Sequence, residues 1–157
     1  MSHRSIAQLF DLTGKTAIVT GGSMGIGYGI VKRLAEAGAT VIIADVDEAE
    51  GNRKVAELTK LQQQASFVKT DVSSEADVVA LIRETVQRTA RLDIFVSNAG
   101  IYPQTPVLDM DVALWDKIQA VNLRGLFWCN REAARSMVAA GSGVIIHIAS
   151  VDSVHPC

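Results

Sequence analysis

The amino-acid sequence predicts an α/β protein built on a doubly wound parallel sheet. Three observations carry this. Strand-length apolar runs alternate with amphipathic helical stretches along the whole chain. Those runs are rich in Val and Ile and mostly lack an alternating apolar/polar pattern, as strands covered on both faces do. A glycine cluster follows the first run and opens the first amphipathic stretch.

The runs are Lys15 to Thr20, Thr40 to Asp45, Ser66 to Thr70 (the weakest), Asp93 to Ser97 and Gly143 to Ala149. Between them the helical period appears at Ile26 to Ala37, stopped by Gly38, and at Glu48 to Gln63, with Val55, Leu58 and Leu61 on one face. A third stretch, Glu75 to Arg88, aligns Val78, Ile82 and Val86, and Ser74 with Asp77 resembles a capping box in which Asp replaces the usual Glu or Gln. A loop marked by Pro103 and Pro106 leads to a long helix from about Asp111 to Ala140. The β-α-β order implies right-handed crossovers, with helices on both faces.

With 157 residues, the chain fits one domain, 1–157, large enough to bury a core. A net charge of −2 without a basic stripe or tail argues against nucleic acid and anionic membrane as partners. No apolar run has the length of a bilayer span, and Met1 to Thr13 lacks the apolar core of a signal peptide. A cytoplasmic location is expected on those grounds. Cys129 and Cys157 make neither a disulfide framework nor a zinc site, so no metal is expected; Cys129 reads as a small buried hydrophobe.

The candidate chemistry begins at Gly21-Gly22-Ser23-Met24-Gly25-Ile26-Gly27. Free amides at a helix N-terminus suit a pyrophosphate, and glycine is required wherever the backbone must approach it. A bare glycine cluster could equally be an empty strand-to-helix turn. Here a strand, a helix and a correctly placed acid agree. That acid is Asp45, at the end of the second strand and eighteen residues after Gly27. Its carboxylate can accept both ribose hydroxyls of an adenosine and would repel a 2′-phosphate, which favours NAD over NADP. Met24 is neutral where a cation would hold that phosphate. Asp45 could otherwise be a solvated turn residue, since Asp47 follows in the same acidic loop.

The spacing Gly-x-x-x-Gly-x-Gly (Gly21, Gly25, Gly27) resembles the glycine motif of the short-chain dehydrogenase/reductase family, and four further segments match that family in order. Asp71-Val72 resembles its adenine-contacting pair. Asn98-Ala99-Gly100 resembles the motif that steadies the sheet and borders the cofactor. Val121-Asn122-Leu123 resembles the segment with its catalytic asparagine, and Ser150 its catalytic serine. The resemblance spans residues 12 to 155. It implies a Rossmann-type sheet of order 3-2-1-4-5 and an NAD(P)-dependent oxidoreductase, NAD preferred, that interconverts a small-molecule secondary alcohol and a ketone as a homodimer or homotetramer.

Each match also has a plain structural reading. Asp71 could be only a helix cap, Asn98 a turn residue, Ser150 an ordinary strand-end serine; Asn122 could face solvent, although its apolar neighbours suit a pocket. The family also uses a Tyr-x-x-x-Lys pair, further beyond its serine than Cys157 lies beyond Ser150. The pair, two more strands and the substrate-specificity loop are therefore expected beyond residue 157, and the domain is expected to be incomplete here. Tyr28 and Lys32 match the pair as a string, but they sit in the cofactor helix and are read as coincidence. The alternative is a fragment or non-catalytic relative that binds NAD without turnover. Tyr102, Pro103, Gln104 and His155 are candidate substrate-pocket residues; Leu114 and Trp115 are expected to pack in the core.

Overall fold

Each predicted strand forms, within two residues of its expected ends. A computed structural model describes residues 5–150. The strands are β1 (Thr16–Thr20), β2 (Thr40–Asp45), β3 (Ala65–Lys69), β4 (Ile94–Ser97) and β5 (Val144–His147). All pair in parallel in the order β3-β2-β1-β4-β5, as predicted.

The missing alternation in β1 and β2 has the expected cause: both faces are covered. Ile18, Ile42 and Phe95 point to one face, where they meet α4 (Glu75–Thr89) and α6 (Leu126–Ala140) through Val78, Leu81, Cys129, Ala133 and Met137. Val19, Val41, Ile43 and Val96 point to the other, against α2 (Gly25–Glu36) and α3 (Glu48–Lys60) through Val31, Ala35 and Leu58. Cys129 is buried as expected, and that burial pushes its thiol pKa up to about 12, so it is inert at neutral pH. The chain winds outward from β1 in both directions, and β1 and β4 flank the point where the winding reverses. In open sheets of this kind, that crevice at the carboxyl ends of the strands is the ligand site.

Helix ends follow local chemistry. Ser74 caps α4 by accepting from the Asp77 amide at 3.3 Å. Its partner departs from the expected box: the Asp77 carboxylate accepts the Ser74 hydroxyl and the Asp71 amide. Helix α3 stops short of the expected Gln63 because Gln62 takes a left-handed φ of 60°, and Leu61 is exposed rather than on the packed face. A short helix not expected from the pattern, α1 (Ile6–Leu9), is closed by a reciprocal box between Ser5 and Gln8.

The long helix is continuous but not uniform. It begins as α5 (Val112–Ile118), capped by Asp111, widens into a π-helical segment over Gln119–Gly125, and resumes as α6. One expectation fails here. Trp115 is 53% exposed and belongs to no core cluster, because its face of α5 looks onto the loop after β4; Leu114 is half-buried.

Candidate active site

The crevice is a cleft of about 550 Å³ lined by Gly21, Met24, Ile26, Gly27, Asp45, Asp71, Val72, Asn98, Ala99 and Gly100 among others. Four separate strand ends deliver these residues, so the parallel register is what brings them together. Two glycine-turn candidates are not on its surface: Gly25 is exposed beside it, and Ser23 is fully buried.

The turn is built for close backbone approach. A Cβ on Gly27 would overlap the Gly21 carbonyl oxygen and the Asn98 amide, and one on Gly21 would stand 2.9 Å from the Ala99 Cα, at a φ of 62°. The chain therefore passes nearer to itself here than any side chain permits. The open N-terminus of α2 then faces the cleft, with Met24 at the N-cap and no side-chain cap on its amides. Unpaired amides over a Cβ-free turn are the donors a pyrophosphate requires.

Asn98 and Thr20 lock that turn to β4. The Asn98 side-chain amide donates to the Thr20 and Gly21 carbonyls at 3.0 and 3.1 Å. The Thr20 hydroxyl accepts from the Asn98 and Ala99 amides at 3.0 and 3.1 Å and reaches the Val96 carbonyl. In the sequence Thr20 ends the first apolar run with no role read for it, though a hydroxyl as the last strand residue before a glycine cluster is a usable signal. Asp45 stands across the turn, its carboxylate accepting the Ser23 amide at 3.1 Å and also the Ser23 hydroxyl. Asp71 folds its own turn, accepting the Ser73 amide and hydroxyl at 2.9 and 2.6 Å, while Ser74 is the helix cap.

Asn122 lies in the middle of the π segment, exposed, and spans to the loop after β4. It accepts the Ile101 amide at 2.9 Å and donates to the Ile101 carbonyl at 2.8 Å. A widened turn leaves backbone groups of a helix without their usual partners, and such segments concentrate at functional sites. Close packing fixes its position: a Cβ on Gly125 would press on the Val72 carbonyl at 2.8 Å. Beside Asn122, a second cleft of about 550 Å³ is walled by Tyr102, Pro103, Gln104, Met110, Trp115 and Ile118. Ser150 is exposed, three residues past β5, at the same carboxyl edge of the sheet. His155 falls outside the described residues.

The wall of the first cleft also includes Val121, which precedes Asn122 in its motif, and Ile101 and Lys117, neither of which stands out in the sequence. Ile101 comes from a loop and Lys117 from a helix face, where no motif marks them. Tyr28 does not face this cleft's chemistry. Its hydroxyl donates to Glu57 at 2.8 Å, and Lys54 lies over its ring at 4.2 Å. Burial first, and then the Glu57 carboxylate, push its pKa up to about 12, the opposite of what a tyrosine acid–base needs.

Among the described residues, no group of three or more His, Cys, Asp or Glu side chains could hold a metal ion, and no helix is long and apolar enough to cross a membrane.

Comparison with known proteins places this geometry among relatives. The family model described as short chain dehydrogenase matches residues 15–157. The chain is 41% identical over 139 residues to a cis-4-hydroxycyclohexanecarboxylate dehydrogenase of Sinomonas cyclohexanicum, covering 87% of this chain and 55% of that protein. It is 38% identical over 145 residues to 3beta-hydroxysteroid dehydrogenase 2 of Eggerthella lenta, covering 91% and 56%. The crystal structure of a putative short-chain alcohol dehydrogenase from Sinorhizobium meliloti superposes with a TM-score of 0.87 at 38% identity, over 92% of this chain and 57% of the other. The chain thus spans about half the length of the curated relatives it matches.

Proposed function

The chain belongs to the short chain dehydrogenase family, and from that premise we propose that it forms the nucleotide-binding half of an NAD-dependent oxidoreductase that interconverts a secondary alcohol and a ketone. The observation that carries the proposal is the Asp45 carboxylate, held at the rim of the cleft whose floor is the Cβ-intolerant Gly21–Gly27 turn. A fixed carboxylate there accepts ribose hydroxyls and repels a 2′-phosphate, and Met24 on the same rim offers no compensating cation.

The residues take the following roles. Gly21, Gly25 and Gly27 clear space for the pyrophosphate, and the amides opening α2 bind it. Asp71 and Val72 border the adenine. Asn98 and Ala99 hold the turn and β4 at a fixed separation through Thr20, and Gly100 borders the cofactor. A bound nicotinamide supplies the hydride acceptor. Ser150 donates to the substrate oxygen and Asn122 holds the proton path. Each contributes by orienting or polarising the reacting carbonyl. The substrate class suggested by the relatives is an alicyclic secondary alcohol, since two are named for a hydroxycyclohexanecarboxylate and a hydroxysteroid. The exposed Leu123 and Phe127 suit the π segment and α6 to an interface in a homodimer or homotetramer.

A second reading, nucleotide binding without turnover, draws support from Tyr28, which is tied to Glu57. Oxidation of hydroxycyclohexanecarboxylates and hydroxysteroids, followed by the absorbance of the reduced nicotinamide, separates the two. The oxidoreductase reading expects turnover with NAD, slower turnover with NADP, and loss in Asn122→Ala. Binding of NAD with no turnover of any alcohol in the panel supports the second reading.

A further inference from the structure

Ser23 sits in the glycine turn yet presents nothing to the cleft. It is fully buried, with 0% of its surface exposed. Its amide donates to Asp45 Oδ2 at 3.1 Å, and its hydroxyl donates to the same oxygen. The second carboxylate oxygen, Oδ1, receives the Asp47 amide at 3.3 Å. Both oxygens of Asp45 are thus held from below, by one residue of the turn and one of the loop that follows β2.

This arrangement has a consequence for selectivity. Asp45 is the last residue of its strand and only half-buried, so an unrestrained side chain there would rotate between solvent and cleft. Hydrogen bonds to a charged acceptor are short, strong and directional, and they remove that freedom before any ligand arrives. A carboxylate fixed in one rotamer offers its remaining lone pairs at one place. It also keeps its charge where an added phosphate would have to sit. The turn amide at Ser23 is directed at Asp45.

We infer that Ser23 is a positioning residue for Asp45, setting how strongly the site discriminates NAD from NADP without itself touching the nucleotide. This rests on the reading of Asp45 as the ribose-binding acid.

The test is a double-mutant cycle on nucleotide affinity. NAD and NADP are titrated against the wild-type protein, Ser23→Ala, Asp45→Ala and the double variant. Loss of one hydrogen bond to a charged group predicts that Ser23→Ala weakens NAD binding on the order of tenfold while leaving NADP binding nearly unchanged, so the selectivity ratio narrows by the same factor. Asp45→Ala removes most of the selectivity, and in that background Ser23→Ala has no further effect. If Ser23→Ala does not fold, Ser23→Cys, of similar size but a weak donor, reads the same quantity. Equal losses for both nucleotides, or a loss that adds to that of Asp45→Ala, would overturn the role of Ser23 alone. An unchanged ratio in Asp45→Ala would overturn the ribose-acid reading, and the role of Ser23 with it.

Discussion

The two halves of the sheet's carboxyl edge differ in how completely they are built. Around β1 and β2, the strands are covered on both faces, Gly21 and Gly27 of the turn above them leave no room for a Cβ, and the Thr20, Ser23, Asp45 and Asn98 side chains are all hydrogen-bonded within the chain. Around β5, Val144 and Ile146 are 55% and 44% exposed, and among the described residues β5 pairs on one side only. On the adjoining helix, Leu123 and Phe127 face outward. Both halves derive from the same apolar, Val- and Ile-rich sequence signal. The difference teaches that a strand run reports capacity for burial, while the burial itself depends on what packs against it. In this chain the β1–β2 end has its partners, and among the described residues the β5 end presents apolar surface.

Four substitutions sharpen that contrast. Phe95→Ala, in the fully buried centre of β4, removes a large side chain between α4, α6 and the sheet. It should cost about 3–5 kcal/mol in denaturant unfolding. The neighbouring Ile146→Ala on β5 should cost only about 1 kcal/mol, since much of that side chain is exposed already. Comparable losses at both positions would mean that β5 is covered in solution.

Gly27→Ala forces a methyl into the Gly21 carbonyl and should destabilise by about 3 kcal/mol and abolish nucleotide binding together. Gly29, two residues on in the same helix, has open space at its Cβ position. Gly29→Ala should raise stability by about 0.5–1 kcal/mol and leave nucleotide binding intact.

Asp93 tests the opposite edge of the sheet. Burial pushes its pKa up, but Arg91, the Thr16 amide and Lys15 outweigh that and hold it at about 2, against an ordinary 3.8. A depressed carboxylate pKa stabilises the fold above its unfolded value, and that stability is lost as pH falls through the folded value. Thermal unfolding of the wild type should therefore lose about 2 kcal/mol between pH 4 and pH 2. Asp93→Asn should flatten that window.

How far the sequence reveals this molecule depends on the kind of constraint. Strand ends, the glycine turn and Asp45 are legible because each reflects a short local rule: apolar runs between turns, glycine where backbone must approach, an acid at a strand end; the strand order and Asp71, Asn98, Ala99 and Gly100 are legible through the family resemblance. The π segment around Asn122 is not legible, because no local residue pattern marks a widened turn. Trp115 misleads because a large aromatic at helical spacing signals burial without saying by what, and here it walls a cleft. Ser23 and Thr20 act through hydrogen bonds to residues far along the chain, which no spacing pattern records.

The central claim is that the finished half of the edge is an NAD site. Calorimetric titration of NAD and NADP against the wild-type protein tests it most directly. Tighter binding of NAD, by on the order of tenfold or more, is the predicted result. Equal or tighter binding of NADP, or no binding of either, would contradict it.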